Sequence, residues 1–279
     1  MEITTAEGLT FRARVVGPEE GRVIVLLHGF PQTSRCWTSQ LDALAGRGYR
    51  AVAFDQRGYS PGARPAEVDA YKPDRLVGDV LGVADTLGVD RFDLVGHDFG
   101  GMVAWMVAGH HASRVRTLTV ASTPHPAAFR AAYENTDAEQ NKRSEYMRTF
   151  RAGDRGAMEQ GLLANNAAAL RSIYAGIEPA IVDDYVSVLS KPGALVAAVD
   201  WYRAMSGKAS AATPAASMAT LYAWGDQDAA LGRTAAEATA ELVTGPYRFV
   251  VLEGVGHWIP ELAADELHAL LVPHLDAHR

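Results

Sequence analysis

The fold of this chain is decided by the stretch Leu94-Val95-Gly96-His97-Asp98-Phe99-Gly100-Gly101. The apolar residues that lead into it form a short run typical of a buried strand, and those that follow it, from Met102 to Val107, recur at helical spacing. The glycines on both sides of Asp98 remove side chains that would clash in a sharp turn. The stretch therefore predicts a tight strand-to-helix turn that projects the carboxylate of Asp98.

This turn has the pattern of a nucleophile elbow, with an aspartate where an esterase carries a serine. A carboxylate that attacks carbon forms an alkyl ester, so the pattern indicates alkyl transfer rather than acyl transfer. A dinucleotide-binding loop is the main alternative, but it needs G-x-G-x-x-G and an acidic residue after the next strand. Here the glycines stand at 96, 100 and 101, and the next strand, Val115-Val120, has no acidic residue at its end. The elbow is the better interpretation.

The composition excludes several classes of partner. The chain has 279 residues and a formal net charge of −7, with no basic stripe for nucleic acid and no apolar run that could span a bilayer. The N-terminus lacks the features of a signal peptide, and the single cysteine, Cys36, allows no intrachain disulfide, so we expect a cytoplasmic protein. No metal-binding motif occurs, and we expect neither metal nor cofactor. Monomer and homo-oligomer both stay open.

The chain shows two kinds of sequence pattern. Short β-branched or apolar runs alternate with helical segments in the N-terminal part, and the strand pattern resumes at Thr220–Trp224 and Arg248–Leu252. The block between them is alanine-rich and helical, without a convincing strand. This order predicts an α/β fold with a mostly parallel sheet flanked by helices and an inserted helical cap domain.

This pattern also predicts the domain boundaries. We expect residues 1–124 to form the first part of the core, residues 125–212 the cap, and residues 213–279 the second part of the core. Ala209–Ala216, which contains a proline, is predicted to be the linker that returns from the cap to the core.

An acid and a histidine follow the last two predicted strands. Asp226 and Asp228 come after the first of these strands, and His257 comes after the second in a glycine-flanked loop. The carboxyl ends of parallel strands are where open α/β sheets place their sites. We favour Asp228 over Asp226 because G-x-x-D is the usual spacing of this loop in folds with the chain order nucleophile, acid, histidine. The alternative is that the aspartate in this loop only caps a turn. The predicted roles are Asp98 as nucleophile, His257 as base and Asp228 as orienting acid.

Four segments together resemble the α/β-hydrolase-fold epoxide hydrolases, with the haloalkane dehalogenases as close relatives, and the resemblance covers nearly the full length. These segments are Leu27-His28-Gly29-Phe30-Pro31, Asp55-Gln56-Arg57-Gly58-Tyr59-Ser60, Gly96-His97-Asp98-Phe99-Gly100 and Gly256-His257-Trp258. In the family's H-G-x-P turn the peptide bond before proline is typically cis, and the N–H of the x residue faces the nucleophile. The resemblance thus implies the N–H groups of Phe30 and Phe99 as the oxyanion hole. Asp55 and Arg57 are expected to form a structural ion pair.

The leaving group separates the two related families. In the haloalkane dehalogenases, two side-chain N–H groups typically donate to the halide. One belongs to a tryptophan directly after the nucleophile, and the other to an asparagine or a second tryptophan. This chain has Phe99 and Phe30 at those positions, and neither side chain can donate. An opening epoxide develops an alkoxide, a strong base that an acid such as tyrosine, with a pKa of about 10, can stabilise.

Two tyrosines stand in segments similar to those of epoxide hydrolases. Asp200-Trp201-Tyr202-Arg203 is similar to the family's N-W-Y-R segment, whose tyrosine polarises the ring oxygen, although aspartate here replaces asparagine. Tyr146-Met147-Arg148-Thr149-Phe150 resembles the segment that carries the other tyrosine, and Phe150 falls on the same helical face as Tyr146. The resemblance implies Tyr202 and Tyr146 as the acids of ring opening.

These observations predict an epoxide hydrolase that converts a hydrophobic epoxide and water to a vicinal diol through a hydroxyalkyl ester of Asp98. A haloalkane dehalogenase with the same nucleophile is one alternative, and a non-catalytic ligand-binding receptor of this fold is another. Phe150 and Trp37 are candidates for the lining of an apolar substrate pocket, but Trp37 is as well explained as a core residue.

Overall fold

The computed structural model describes residues 1–135, 138–205 and 212–278, and eight strands in these ranges form one sheet. The strands are β1 (Glu2–Thr4), β2 (Thr10–Val16), β3 (Val23–Leu27), β4 (Arg50–Phe54), β5 (Phe92–His97), β6 (Val115–Ala121), β7 (Ala219–Gly225) and β8 (Tyr247–Leu252). Their order is β1-β2-β4-β3-β5-β6-β7-β8. Only the pairs β1/β2 and β2/β4 are antiparallel. The predicted mostly parallel sheet is confirmed.

Helices cover the sheet and fill the stretch between β6 and β7. The α-helices of the described residues are α1 (Thr38–Ala45), α2 (Pro73–Thr86), α3 (Phe99–His110), α4 (Pro126–Asn135), α5 (Ala138–Arg143), α6 (Glu145–Ala152), α7 (Ala157–Arg171), α8 (Pro179–Leu189), α9 (Ala194–Ala204), α10 (Arg233–Ala238), α11 (Ile259–Leu262) and α12 (Ala264–Ala277). Helix α7 is interrupted at residues 164–167, where the backbone is not helical. Helix α1 packs against α12, and α2 packs against α3.

The central strands are buried along their whole length, which explains their continuous apolar sequences. Every residue of β3, β5 and β7 is buried, as expected for strands with helices on both faces of the sheet. Because β3, β5, β7 and β8 are parallel in one sheet, their carboxyl ends lie at the same edge. The H-G-F-P turn, the elbow and the loops with Asp228 and His257 all begin at this edge.

Helices α4 to α9 form a helical insertion, Pro126–Ala204, between β6 and β7. Hydrogen bonds tie the insertion to the sheet domain. Trp201 Nε1 donates to the carbonyl of Arg57 at 2.9 Å, and the Tyr174 hydroxyl donates to the carbonyl of Pro31 at 2.7 Å. Residues 209–211 of the predicted linker lie outside the described residues, and residues 212–215 contain neither helix nor strand.

The expected ion pair between Asp55 and Arg57 is wrong. Arg57 pairs instead with Asp79 of α2, with its Nη2 at 2.6 Å from Oδ1 and its Nε at 2.7 Å from Oδ2. Asp55 accepts hydrogen bonds from the backbone N–H and the hydroxyl of Ser34. Asp79 binds the planar guanidinium group with both carboxylate oxygens, which is a stronger contact than a single hydrogen bond. Only the folded chain brings α2 into that position.

No helix within the described ranges combines the length and apolar character that crossing a membrane requires.

Candidate active site

Asp98 stands at the tip of the turn between β5 and α3 in a strained backbone conformation. Its φ is 52° and its ψ is −123°, which a residue with a side chain rarely adopts. A Cβ on Gly96 would lie 2.4 Å from the carbonyl oxygen of Gly100, so the turn can close only with glycine there. The carbonyl of Asp98 accepts hydrogen bonds from Thr123 Oγ1 at 2.8 Å and from the Met102 N–H at 3.0 Å. The elbow thus holds the carboxylate in one direction.

The H-G-F-P turn approaches the carboxylate of Asp98 closely. The Phe30 N–H donates to Asp98 Oδ1 at 2.8 Å, and the Phe30–Pro31 peptide bond is cis, as the family resemblance implies. A Cβ on Gly29 would lie 2.3 Å from the Cβ of Asp98, so only glycine permits this approach. Interaction with the Phe99 N–H also helps to lower the pKa of the Asp98 carboxyl group. Both N–H groups expected from the sequence therefore face the Asp98 side chain.

His257 lies between two carboxylates. Its Nε2 is 3.4 Å from Asp98 Oδ2, and its Nδ1 is 2.8 Å from Oδ2 of Asp228. Asp228 is fully buried, and its other oxygen accepts the N–H groups of Ala230 and Leu231 at 2.8 and 3.0 Å. Of the two candidate acids in this loop, Asp228 contacts His257, whereas Asp226 accepts the N–H of Gly254.

The two carboxylates change the protonation of His257. Burial by itself would lower the pKa of His257, but the charge and hydrogen bond of Asp228, together with those of Asp98, raise it to about 10. Burial would raise the pKa of Asp98, but the hydrogen bond and charge of His257 lower it below its ordinary value. At neutral pH the site therefore holds an imidazolium between two carboxylates.

Tyr146 of α6 and Tyr202 of α9 meet beside Asp98. Their ring centroids are 6.1 Å apart with the planes at 81°. Burial raises the pKa of both phenols, and for Tyr146 the negative charge of Asp98 adds to this effect. Both side chains are therefore protonated at neutral pH and can donate hydrogen bonds.

Aromatic rings hold Tyr202 in place. Its ring centroid lies 4.6 Å from that of Phe99, 5.0 Å from that of Phe150 and 5.2 Å from that of Phe30, all in edge-to-face geometry. The backbone carbonyl of Tyr202 accepts a hydrogen bond from Arg151 Nε at 3.2 Å. Packing of the insertion on the elbow and on the H-G-F-P turn thus determines where this hydroxyl points.

Two mainly apolar cavities share Asp98, Tyr146 and Tyr202 as walls. The larger, of about 350 Å³, is also lined by Phe30, Phe150, Leu162, Ile173, His257 and Trp258. The smaller, of about 110 Å³, is also lined by Phe99, Met102, Phe129, Tyr133, Met147 and Leu231. The space around the carboxylate therefore suits an apolar molecule that places one polar atom near the tyrosine hydroxyls.

The structure brings together most of the residues singled out in the sequence. Phe150 lines the larger cavity, but Trp37 lines neither; it is fully buried in the hydrophobic core. Thr123, which donates to the elbow carbonyl, was not predicted, and its position two residues after the end of β6 is the sequence signal that could have indicated it. Among the described residues, no cluster of three or more His, Cys, Asp or Glu side chains could hold a metal ion.

Known proteins resemble this chain over nearly its whole length. The alpha/beta hydrolase fold family matches residues 22–264. Epoxide hydrolase A of Mycobacterium tuberculosis is 30% identical over 98% of this chain and 96% of its own length. Epoxide hydrolase 4 of Mus musculus is 30% identical over 95% of this chain and 76% of its own length.

A solved structure gives the same result. It belongs to novel epoxide hydrolases of the alpha/beta hydrolase superfamily from metagenomes of hot environments, and it superimposes with a TM-score of 0.89 at 30% identity. The superposition covers 99% of this chain and 97% of that structure. The elbow, the cis-proline turn and the strand order of the sheet are thus found together with similarity to these proteins over nearly the whole of this chain. The chain therefore belongs to the α/β-hydrolase fold family, in the branch that contains these epoxide hydrolases.

Proposed function

We propose that this protein is an epoxide hydrolase that converts a hydrophobic epoxide to a vicinal diol through a covalent ester of Asp98. The observation that carries the proposal is the pair of protonated hydroxyls, Tyr146 and Tyr202, in the wall of the cavities that contain the Asp98 carboxylate. Relatives named epoxide hydrolases, which match nearly the whole of this chain, support the same activity.

In the first step the carboxylate of Asp98 attacks an epoxide carbon and the ring C–O bond breaks. The leaving oxygen stays attached to the molecule as an alkoxide, and a tyrosine hydroxyl transfers its proton to it. The product of this step is a hydroxyalkyl ester of Asp98. The phenols suit the task because their raised pKa keeps the proton in place until a strong base develops.

The ester changes the acidity of His257. At rest the negative charge of Asp98 is one of the causes that raise the pKa of His257 to about 10. Esterification removes that charge, so the pKa of His257 falls and the imidazolium releases a proton. This proton replaces the one that the tyrosine gave to the alkoxide. His257 is then neutral and can act as a base in the second step.

In the second step neutral His257 takes a proton from a water molecule, which attacks the ester carbonyl of Asp98. Asp228 stabilises the imidazolium that forms. The Phe30 and Phe99 N–H groups, which already face the carboxylate, donate to the developing oxyanion. By analogy with other oxyanion holes each donor contributes on the order of 3 kcal/mol. Collapse of this intermediate breaks the ester C–O bond. The leaving oxygen takes the proton from His257, and the added hydroxyl group gives its proton to His257, so the diol is released and the Asp98 carboxylate and the imidazolium are restored.

The same features disfavour a haloalkane dehalogenase. A halide ion is a weak base that needs only hydrogen-bond donors, and the side chains of Phe30 and Phe99 offer none.

We also propose that residues 125–212 act as a cap domain, because Tyr146 and Tyr202 both belong to the helical insertion while Asp98, Asp228 and His257 belong to the sheet domain.

The decisive experiment uses His257→Gln, which removes the base but leaves the nucleophile and the tyrosines. After incubation with styrene oxide, intact-mass spectrometry should show the protein plus one epoxide, and peptide mapping should locate the adduct at Asp98. Wild-type protein should release the diol. No adduct on the variant would contradict the covalent mechanism. Halide release from chloroalkanes without epoxide turnover would identify a dehalogenase, and turnover of neither would favour a receptor.

A further inference from the structure

A chain of hydrogen bonds leads away from His257 on the side that the mechanism does not use. The backbone carbonyl of His257 lies 2.8 Å from Nε2 of His97, the residue before the nucleophile. Ser122 Oγ donates to the same carbonyl, also at 2.8 Å. The main chain of His257 is thus held from the ends of β5 and β6, independently of the contact between its ring and Asp228.

The chain continues from His97 to a carboxyl group. Nδ1 of His97 lies 2.8 Å from Gln32 Oε1, and Gln32 Nε2 donates to Glu261 Oε1 at 2.7 Å. The hydroxyl of Tyr185 donates to the same carboxyl oxygen at 2.7 Å. Gln32 and His97 are fully buried, and Glu261 lies on α11, directly after the loop that carries His257.

The number of protons in this chain is restricted. Both ring nitrogens of His97 face carbonyl-type oxygens, but a neutral imidazole has only one N–H. One solution is a doubly protonated His97 with an ionised Glu261. The other is a neutral His97, with the amide of Gln32 turned over so that its NH₂ donates to Nδ1 and its oxygen accepts a proton from Glu261. Each solution places one ionisable proton on the pair of Glu261 and His97.

The charges and burial around the pair favour the second arrangement, whereas the N–H of Gly29, 3.3 Å from Gln32 Oε1, fits the first. Burial and the positive charge of His257 lower the pKa of His97 to about 4, while burial raises the pKa of Glu261 to about 7. Glu261 Oε2 is buried and has no hydrogen-bond partner among the described residues, which suits a neutral acid better than a carboxylate. The titratable groups that interact electrostatically with this pair are Tyr185, Tyr174, Cys36, His257, Asp98 and Asp228.

We propose that Glu261 is a positioning residue for His257: through Gln32 and His97 it holds the His257 main chain, and it shares one ionisable proton with His97. The inference rests on the proposed function, because it concerns the base that hydrolyses the ester. Because His257 acts as the base only in ester breakdown, whereas Asp98 itself attacks the epoxide, the chain should affect ester breakdown far more than ester formation.

Glu261→Leu tests the connection. Rapid-quench mass spectrometry on a single turnover measures ester formation and ester breakdown separately. In E261L the breakdown rate should fall about tenfold, the equivalent of one buried hydrogen bond, and the formation rate should stay within about twofold of wild type. Tyr185→Phe is the matched control, since it removes a hydrogen bond from the same carboxyl oxygen without touching Gln32, and breakdown should be unchanged. Equal slowing of both steps in E261L, or of breakdown in Y185F, would overturn the proposal.

Glu261→Gln tests the shared proton and stays informative if the leucine variant does not fold. A glutamine can satisfy Gln32 in either orientation and does not titrate, whereas the wild-type pair should lose its proton as the pH rises through about 7. The ratio of the E261Q rate to the wild-type rate for ester breakdown should therefore increase across this range. A ratio independent of pH would refute the shared proton. Absence of any ester in His257→Gln would instead count against the covalent mechanism. The pH dependence of the shared proton would then be tested with the ratio of kcat for E261Q to kcat for wild type, measured at steady state.

Discussion

His257 Nε2 lies 3.4 Å from Asp98 Oδ2, whereas His257 Nδ1 lies 2.8 Å from Asp228 Oδ2. The histidine is thus held closely by Asp228 and more loosely by Asp98. This asymmetry suits a base that must keep one partner throughout turnover and lose the charge of the other when the ester forms.

The ion pair of His257 should contribute to stability in a defined range of pH. Its pKa is raised from 6.5 to about 10 in the folded protein, so the contribution is complete below about pH 6.5 and is lost as the pH rises through about 10. The difference in the free energy of unfolding between wild type and His257→Gln, measured by urea denaturation, should therefore decrease by a few kcal/mol between pH 6 and 10. A constant difference would contradict an imidazolium at rest.

Replacing the tyrosines should slow ring opening. Tyr202→Phe and Tyr146→Phe should each lower the rate of ester formation by about 10- to 100-fold, and the double variant by about 1,000-fold or more, because the alkoxide loses its acid. Ester breakdown should change little. The control is Tyr247→Phe, which removes a buried hydroxyl with no hydrogen-bond partner in the described part of the chain. Wild-type ester formation in the double variant would exclude the tyrosines from catalysis.

Asp228→Asn should lower kcat by roughly 10³- to 10⁴-fold, by analogy with other orienting acids, and should lower the pKa of His257 because its main negative partner is lost. Asp226→Asn is the matched control in the same loop, since Asp226 bonds the Gly254 N–H and has no contact with His257. Steady-state rates over pH 5 to 10 with one epoxide compare the two. Similar losses in both variants would show that the loop, and not the Asp228 carboxylate, is responsible.

The buried pair of Arg57 and Asp79 should be needed for stability and not for chemistry. Asp79→Asn removes the carboxylate charge that faces the buried guanidinium and leaves only the exposed Glu7 carboxylate, at 4.0 Å, so the free energy of unfolding should fall by about 3–5 kcal/mol. The double variant Arg57→Met with Asp79→Leu should recover most of this loss, because an apolar pair avoids the cost of burying charge. Chemical denaturation measures both, and a double variant less stable than Asp79→Asn would contradict this account.

Local patterns in the sequence determined much of this protein. The elbow, the strands β5 to β8, the order of Asp98, Asp228 and His257, and the H-G-F-P turn were all predicted, because hydrophobic periodicity and the steric needs of tight turns depend on neighbouring residues. The short strand β1 was not predicted, since its three residues are too few to form a pattern.

The tertiary structure alone decided which distant groups meet. Arg57 pairs with Asp79 instead of Asp55, Trp37 is in the core instead of the pocket, and Glu261 reaches His257 through Gln32 and His97. These contacts join segments that are far apart in the chain. The sequence pattern of one segment does not predict which other segment it will contact. Packing of the helical insertion on the sheet likewise brings two tyrosine side chains close to one carboxylate. The spacing of these residues along the chain does not predict this proximity.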